Sequence, residues 1–217
     1  MNATDSLHEA VVVGDWDLAA LEASRLLEIG VSPQELVEGC LRPAMATVGD
    51  RFSIGDYFLP DLLMAGRAMS RAMDIIRPLV VGKGIVQRGR VVLGTVQGDI
   101  HDIGKNMVAM FLQGTGFEVD DLGVDVSDEA YVHAVRERHP DILGLSALLT
   151  TTMPRLRSII MELDAQGLRN TVLVVVGGAP VTQRYADQIG ADGYAPDAGA
   201  AAKVCRHLME SRHKGVR

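Results

Sequence analysis

Cysteine is nearly absent from this sequence. Cys40 and Cys205 are the only two in 217 residues, and neither has a second cysteine at metal-ligand spacing. That argues against zinc and iron–sulfur sites and against a disulfide framework, and it fits a reducing compartment. Long apolar runs are lacking as well, since none approaches the roughly 18 residues that cross a bilayer. The opening stretch, MNATDSLHEAVVVGDWD, has neither the basic region nor the long apolar core of a secretory signal. The cytoplasm is therefore the expected location, with no membrane partner. An excess of basic charge is also missing. The formal net charge of −7 argues against nucleic-acid binding, because proteins that neutralise phosphates carry a basic face or stripe. There is no internal repeat and no low-complexity segment.

What is present suits a folded protein of one or two domains. Hydrophobic residues make up 47 % of the chain, enough for a sizeable core, and charged residues 23 %, near the average for globular proteins. The first eighty residues read as helices. Leu18, Leu21, Leu26, Leu27 and Ile29 recur at near-helical spacing, with Asp15 or Asp17 as the cap. Ser32, Pro33 and Glu35 form an N-cap, a first-turn proline and a capping-box glutamate. Gly55 marks a turn. A further helix opens at Pro60 and is expected to stop near Pro78. Four helices with short connections predict a small antiparallel bundle over residues 1–80. Residues 81–89, VGKGIVQRG, hold three glycines and read as a linker and hinge.

The pattern then changes over residues 90–217. RVVLGTV, FEVDDLG, DILGLSA and TVLVVVGG are short runs rich in Val, Ile and Leu, separated by amphipathic segments of helical length such as 129–138 and 154–166. Gly193 to Ala195 offers a short fifth strand, and a last helix is expected from about Asp197 to Ser211. This alternation predicts an α/β fold: a flavodoxin-like (Rossmann-like), doubly wound, five-stranded parallel sheet. Ligands of such sheets bind beyond the carboxyl ends of the strands, at the point where the strand order reverses.

Three features fall at those strand ends. Gly98-Asp99-Ile100-His101-Asp102-Ile103-Gly104 follows the first strand, Ser146-Ala147-Leu148-Leu149-Thr150-Thr151-Thr152 the third, and Gly177-Gly178 the fourth. Each alone is weak: a loop histidine is usually a surface residue, Gly-Gly a turn, and Ser or Thr a helix cap. Together they are specific. Asp99-x-His101-x-x-Gly104, Ser146-x-Leu148 and Gly177-Gly178 resemble the signature of the cobalamin-binding module shared by methionine synthase, B12-dependent mutases and corrinoid methyl carriers. GDYFLPDLLMAGRAM, from Gly55 to Met69, resembles the helical cap that precedes this module in methyl carriers. The likeness spans nearly the whole chain and is closest to the stand-alone corrinoid proteins of one-carbon systems, serving methanol, methylamines, betaines or aryl methyl ethers.

The resemblance implies a cofactor, cobalamin or a related corrinoid with cobalt, and a set of roles. His101 is the implied metal ligand, replacing the cofactor's own lower base. Asp99 accepts the proton of the other imidazole nitrogen, and Thr152 extends this relay where methionine synthase has serine. Gly98, Ile100, Asp102 and Gly104 belong to the cofactor-binding loop, with Gly104 permitting close approach of the corrin edge. Ser146, Leu148 and Thr150 line the entrance, where Ser146 and Thr150 bond the displaced nucleotide tail. Gly177 and Gly178 let that tail pass, and Ala198 completes the binding set. Gly178, at a strand end, is expected to accept a larger side chain without loss of the fold. One or two of Phe58, Leu59, Leu62 and Leu63 are expected over the corrin's upper face, whereas Met64, Met69 and Met73 read as core.

The implied activity is carriage of a methyl group, cycling between cobalt(I) and methylcobalt(III), as the carrier subunit of a multi-component methyltransferase. The implied partners are a substrate-specific corrinoid methyltransferase, a methyltransferase that passes the methyl to an acceptor, and a reductive activase. The alternatives are an adenosylcobalamin module of a mutase or B12-based sensor, and a metal-free flavodoxin-like nucleotide binder. The second leaves Asp99 and His101 unexplained.

Overall fold

A computed structural model describes residues 4–80, 88–213 and 215. The chain divides into two compact units, residues 1–87 with 114–116, and residues 88–113 with 117–217. Residues 81–87 of the expected linker lie outside the described residues. No described helix is long and apolar enough to cross a membrane.

The first unit is helical, and its helix starts are set locally. Helix α1 (Asp5–Val13) turns at Gly14 into α2 (Trp16–Glu28), where Asp15 is the cap, accepting the Leu18 N–H at 2.9 Å. Helix α3 (Pro33–Leu36) begins as expected, with the Ser32 hydroxyl oxygen accepting the Glu35 N–H at 3.1 Å. It runs through a π-helical turn, Val37–Leu41, into α4 (Arg42–Ser53). The wide turn lies just before Pro43, which has no N–H to offer the preceding turn. Taken as one interrupted rod, α3 and α4 make the unit a four-helix arrangement closed by α5 (Leu59–Val80). Helix α5 reaches Val80, two residues past Pro78 and close to the expected stop, since a proline in the last turn forfeits only one backbone bond. Leu7, Leu26, Leu36, Leu41, Met45, Leu62 and Ile76 are fully buried in this unit.

The second unit is the expected sheet. Strands β1 (Arg90–Thr95), β2 (Glu118–Asp121), β3 (Ile142–Ser146), β4 (Leu173–Gly177) and β5 (Gly193–Ala195) are all parallel, in the order β2-β1-β3-β4-β5. They alternate with α6 (Ile103–Gly114), α7 (Asp128–Arg138), α8 (Met153–Ala165), α9 (Gln183–Ile189) and α10 (Ala198–His213). One face of the sheet, carrying Val92, Leu143, Leu145, Val174 and Val176, packs on residues of α7, α8 and α9. The other, carrying Val91, Ile142 and Val175, packs on residues of α6 and α10. The chain leaves β1 toward β2 and returns to β3 on the other side, so the carboxyl ends of β1 and β3 flank the point of reversal.

Candidate functional site

His101 and Asp99 sit at that point, in the loop between β1 and α6. Asp99 is fully buried and His101 is not. A buried carboxylate must be compensated, and five donors do so. Oδ1 faces the His101 N–H at 3.1 Å and the His101 Nδ1 at 2.6 Å. Oδ2 accepts the N–H groups of Leu148 and Leu149 at 2.7 and 3.2 Å and the Thr152 hydroxyl at 2.9 Å. Burial by itself pushes the Asp99 carboxyl up. The bonds from the His101 ring, Leu148, the His101 amide and Thr152 outweigh it and hold the group well below the usual carboxylate range.

An ionised Asp99 accepts at both oxygens, so Nδ1 carries the imidazole proton and Nε2 presents its lone pair. The His101 side chain is 47 % exposed, so that lone pair is within reach of a ligand. Thr152 occupies the N-cap position of α8 but makes no side-chain cap bond. Its hydroxyl has one proton and two acceptors at 2.9 Å, Asp99 Oδ2 and the Leu149 carbonyl. The charged oxygen is the stronger acceptor. The bland alternative for Thr152, a helix cap, is thereby excluded.

Register supplies a second element. Thr95 pairs with Ser146, Ser146 with Gly177, and Gly177 with Ala195, so four small residues form one row across the sheet at its carboxyl edge. By strand alternation the row lies on the face covered by α6 and α10. Helix α10 opens with Ala198, Gly199, Ala200, Ala201 and Ala202, equally small. A flat molecule with a metal centre and a long polar tail suits such a row, with an outward imidazole nitrogen beside it. The donor set and the lack of bulk both fit a corrinoid whose own base has been displaced.

The expected loop residues are distributed accordingly. Gly98, Ile100, Asp102 and Gly104 are exposed around His101, as are Leu148 and Thr150, while Ser146 is half-buried and Ala198 buried. A side chain at Gly104 would meet no atom within 4 Å. Gly178 differs from expectation. Its φ is +124°, and a Cβ there would collide with the carbonyl oxygen of Ala147. The close approach of the β4 exit to the β3 exit already demands glycine, so Gly178 is not replaceable without cost to the fold. In the helical unit, Leu62 is core, whereas Phe58, Leu59, Leu63 and Met64 are exposed.

Several contributors escaped the sequence reading. Thr95, fully buried, donates its hydroxyl to the His101 carbonyl at 3.0 Å. A hydroxyl inside the apolar run RVVLGTV was the available signal. Lys105, also buried, bridges Asp121 at the end of β2 and the side chain of Asn106. Asp125 bonds the His101 loop from the far side of β1. Nothing in local sequence marks the last two.

Comparison with known proteins agrees with this geometry. Family models described as B12 binding domains match residues 89–203 and 3–77. Dimethylamine corrinoid protein 1 of Methanosarcina acetivorans is 42 % identical over 196 residues, covering 90 % of this chain and 91 % of its own. Trimethylamine corrinoid protein 1 of the same organism is 43 % identical over 203 residues, covering 93 % and 94 %. The crystal structure of the methanol:cobalamin methyltransferase complex MtaBC from Methanosarcina barkeri contains a chain that superposes with a TM-score of 0.83 at 29 % identity, covering 96 % of this chain and 80 % of that one. With both halves of the chain matched, this chain belongs to the B12-binding corrinoid proteins of methyltransferase systems.

Proposed function

We propose that this chain carries a methyl group on a bound corrinoid, receiving it from a substrate-specific methyltransferase and passing it to a second methyltransferase. When bound, the corrinoid supplies a cobalt that takes up and releases the methyl group. Every other task falls to the protein. His101 would hold the metal through Nε2. Asp99 keeps the Nδ1 proton in place and so keeps Nε2 available, and Thr152 and the Leu148 and Leu149 amides hold Asp99 in turn. The row Thr95, Ser146, Gly177 and Ala195 would border the nucleotide tail, its small residues leaving room beside the sheet.

The observation that carries this reading is the fully buried, ionised Asp99 bonded to the ring of a half-exposed histidine at the sheet's reversal point. Histidines that bind metals show this arrangement. The methyl donor is chosen by the partner enzyme. Relatives with nearly equal identity to this chain carry dimethylamine and trimethylamine in their names, so overall similarity singles out neither amine. A reductive activase is the third partner in this scheme. We place the scheme in the cytoplasm, supported by two buried free thiols.

The test is reconstitution of the purified protein with hydroxocobalamin. The native chain is expected to give the visible spectrum of histidine-ligated cobalt with the lower base displaced. His101→Ala is expected to lose that spectrum and to retain the corrinoid poorly. An unchanged spectrum and unchanged retention in the variant would remove His101 from the metal.

A further inference from the structure

Asp125 has an unusual backbone. It and His139 are the only non-glycine residues with positive φ among those described, Asp125 at φ 53°. Left-handed backbone costs a non-glycine residue free energy and persists where the surroundings demand it. The surroundings here are the first two peptide units of the His101 loop. Asp125 Oδ1 accepts the Gly98 N–H at 2.7 Å, and the Asp125 N–H donates to the Asp99 carbonyl at 3.0 Å. One residue of the β2–α7 connection thus grips the chain on both sides of the Gly98–Asp99 peptide bond.

That grip is independent of the bonds described for the carboxylate. Leu148, Leu149 and Thr152 fix the Asp99 side chain from the β3–α8 turn, and Asp125 fixes its main chain from the other flank. The two anchors lie on opposite sides of β1, since β1 pairs with β2 on one side and β3 on the other. With both in place, the Cα of Asp99 and its carboxylate are held, and the imidazole bonded to Oδ1 has one direction in which to point. The isolated bridge between Val96 and Val126 brings the two loops together just beside this point.

We infer that Asp125 is a positioning residue for His101: by clamping the backbone of Gly98 and Asp99 it aims the imidazole at the cobalt. The inference rests on His101 being the metal ligand. The residue touches neither cofactor nor reacting atoms, so its effect is read through Asp99 and His101.

Three variants separate the components. Asp125→Asn keeps an acceptor oxygen and tolerates left-handed backbone. Asp125→Gly relieves the backbone and removes the acceptor. His101→Ala reports on the ligand assignment. The first readout needs no cofactor: amide hydrogen exchange at Gly98 in the cofactor-free protein. Gly98 is expected to lose protection in Asp125→Gly and keep it in Asp125→Asn, while Leu148 and Leu149 stay protected in both. The second readout is titration with hydroxocobalamin. Asp125→Gly is expected to bind roughly 10- to 100-fold more weakly, the usual loss for a residue that orients a metal ligand, and to show a smaller fraction of histidine-ligated spectrum. Asp125→Asn is expected to restore both. Unchanged Gly98 exchange in Asp125→Gly overturns the clamp. Lost protection with native affinity and native spectrum overturns its role in aiming His101. If instead His101→Ala leaves the spectrum unchanged, the ligand assignment and the aiming role fail together, and the exchange result still decides the clamp.

Discussion

Exchanging Asp99 for asparagine alters almost no volume, yet it leaves the His101 side of the arrangement unsatisfied. Both carboxylate oxygens accept, one from His101 and the other from Leu148, Leu149 and Thr152. An asparagine has one acceptor oxygen and one donor group. Keeping its oxygen toward Leu148, Leu149 and Thr152 preserves three bonds and turns the NH2 toward His101, where an N–H and an Nδ1–H already donate. The imidazole escapes by moving its proton to Nε2, which closes the lone pair that a metal needs. The lost bond is charge-assisted, and such bonds contribute about 1.5–3 kcal/mol. At about 1.4 kcal/mol per decade that corresponds to roughly 10- to 140-fold weaker corrinoid binding. The assay has two arms. Nitrogen-15 spectra of the cofactor-free protein are expected to report an Nδ1–H tautomer in the native chain and Nε2–H in Asp99→Asn. Titration with hydroxocobalamin is expected to show the loss of affinity and of the histidine-ligated spectrum. An Asp99→Asn protein that keeps the Nδ1–H tautomer and binds within twofold of native would refute the reasoning.

The remaining predictions concern the scaffold. Tyr131 is fully buried against Gly94, its hydroxyl has no partner among the described residues, and burial pushes its pKa up. Tyr131→Phe is therefore expected to leave stability unchanged or raise it by about 1 kcal/mol in urea titration, and a clear loss would reveal a hidden partner. Gly178→Ala is expected to destabilise the fold by more than about 2 kcal/mol, given its φ of +124° and the Ala147 carbonyl in the way. Gly104→Ala, in open space at the start of α6, is expected to leave stability equal or higher by up to about 1 kcal/mol; equal unfolding midpoints for the two variants would contradict the contrast. Burial pushes the Cys40 thiol up to about 11 and Cys205 up to about 12. The thiolate is the reactive form and accumulates only as pH approaches those values. Native protein at pH 8 is expected to be inert to a disulfide reagent and denatured protein to yield two thiols, whereas fast native labelling would show that these cores open.

How far the sequence carried depended on distance along the chain. Caps act across three residues, and Asp15 and Ser32 were legible for that reason. Helix ends were less so: Pro78 marks the stop of α5 only to within two residues, because a proline in the last turn forfeits a single backbone bond. The strand runs and their order of alternation were readable because burial on both faces selects continuous apolar residues, and the handedness of crossovers leaves few topologies. The pairing of Asp99 with His101 was readable because the two are separated by one residue.

By itself, then, the sequence determined the class of fold, and its short motifs carried the family resemblance that implies the corrinoid and the histidine loop. Tertiary structure decided the rest. The row Thr95, Ser146, Gly177 and Ala195 exists only through the register of four strands. The need for glycine at 178 comes from a carbonyl thirty-one positions earlier, at Ala147. Asp125 reaches Gly98 across twenty-seven positions. Such contacts leave no periodic trace in sequence, because a single polar residue in a loop looks the same whether it faces water or holds another loop in place.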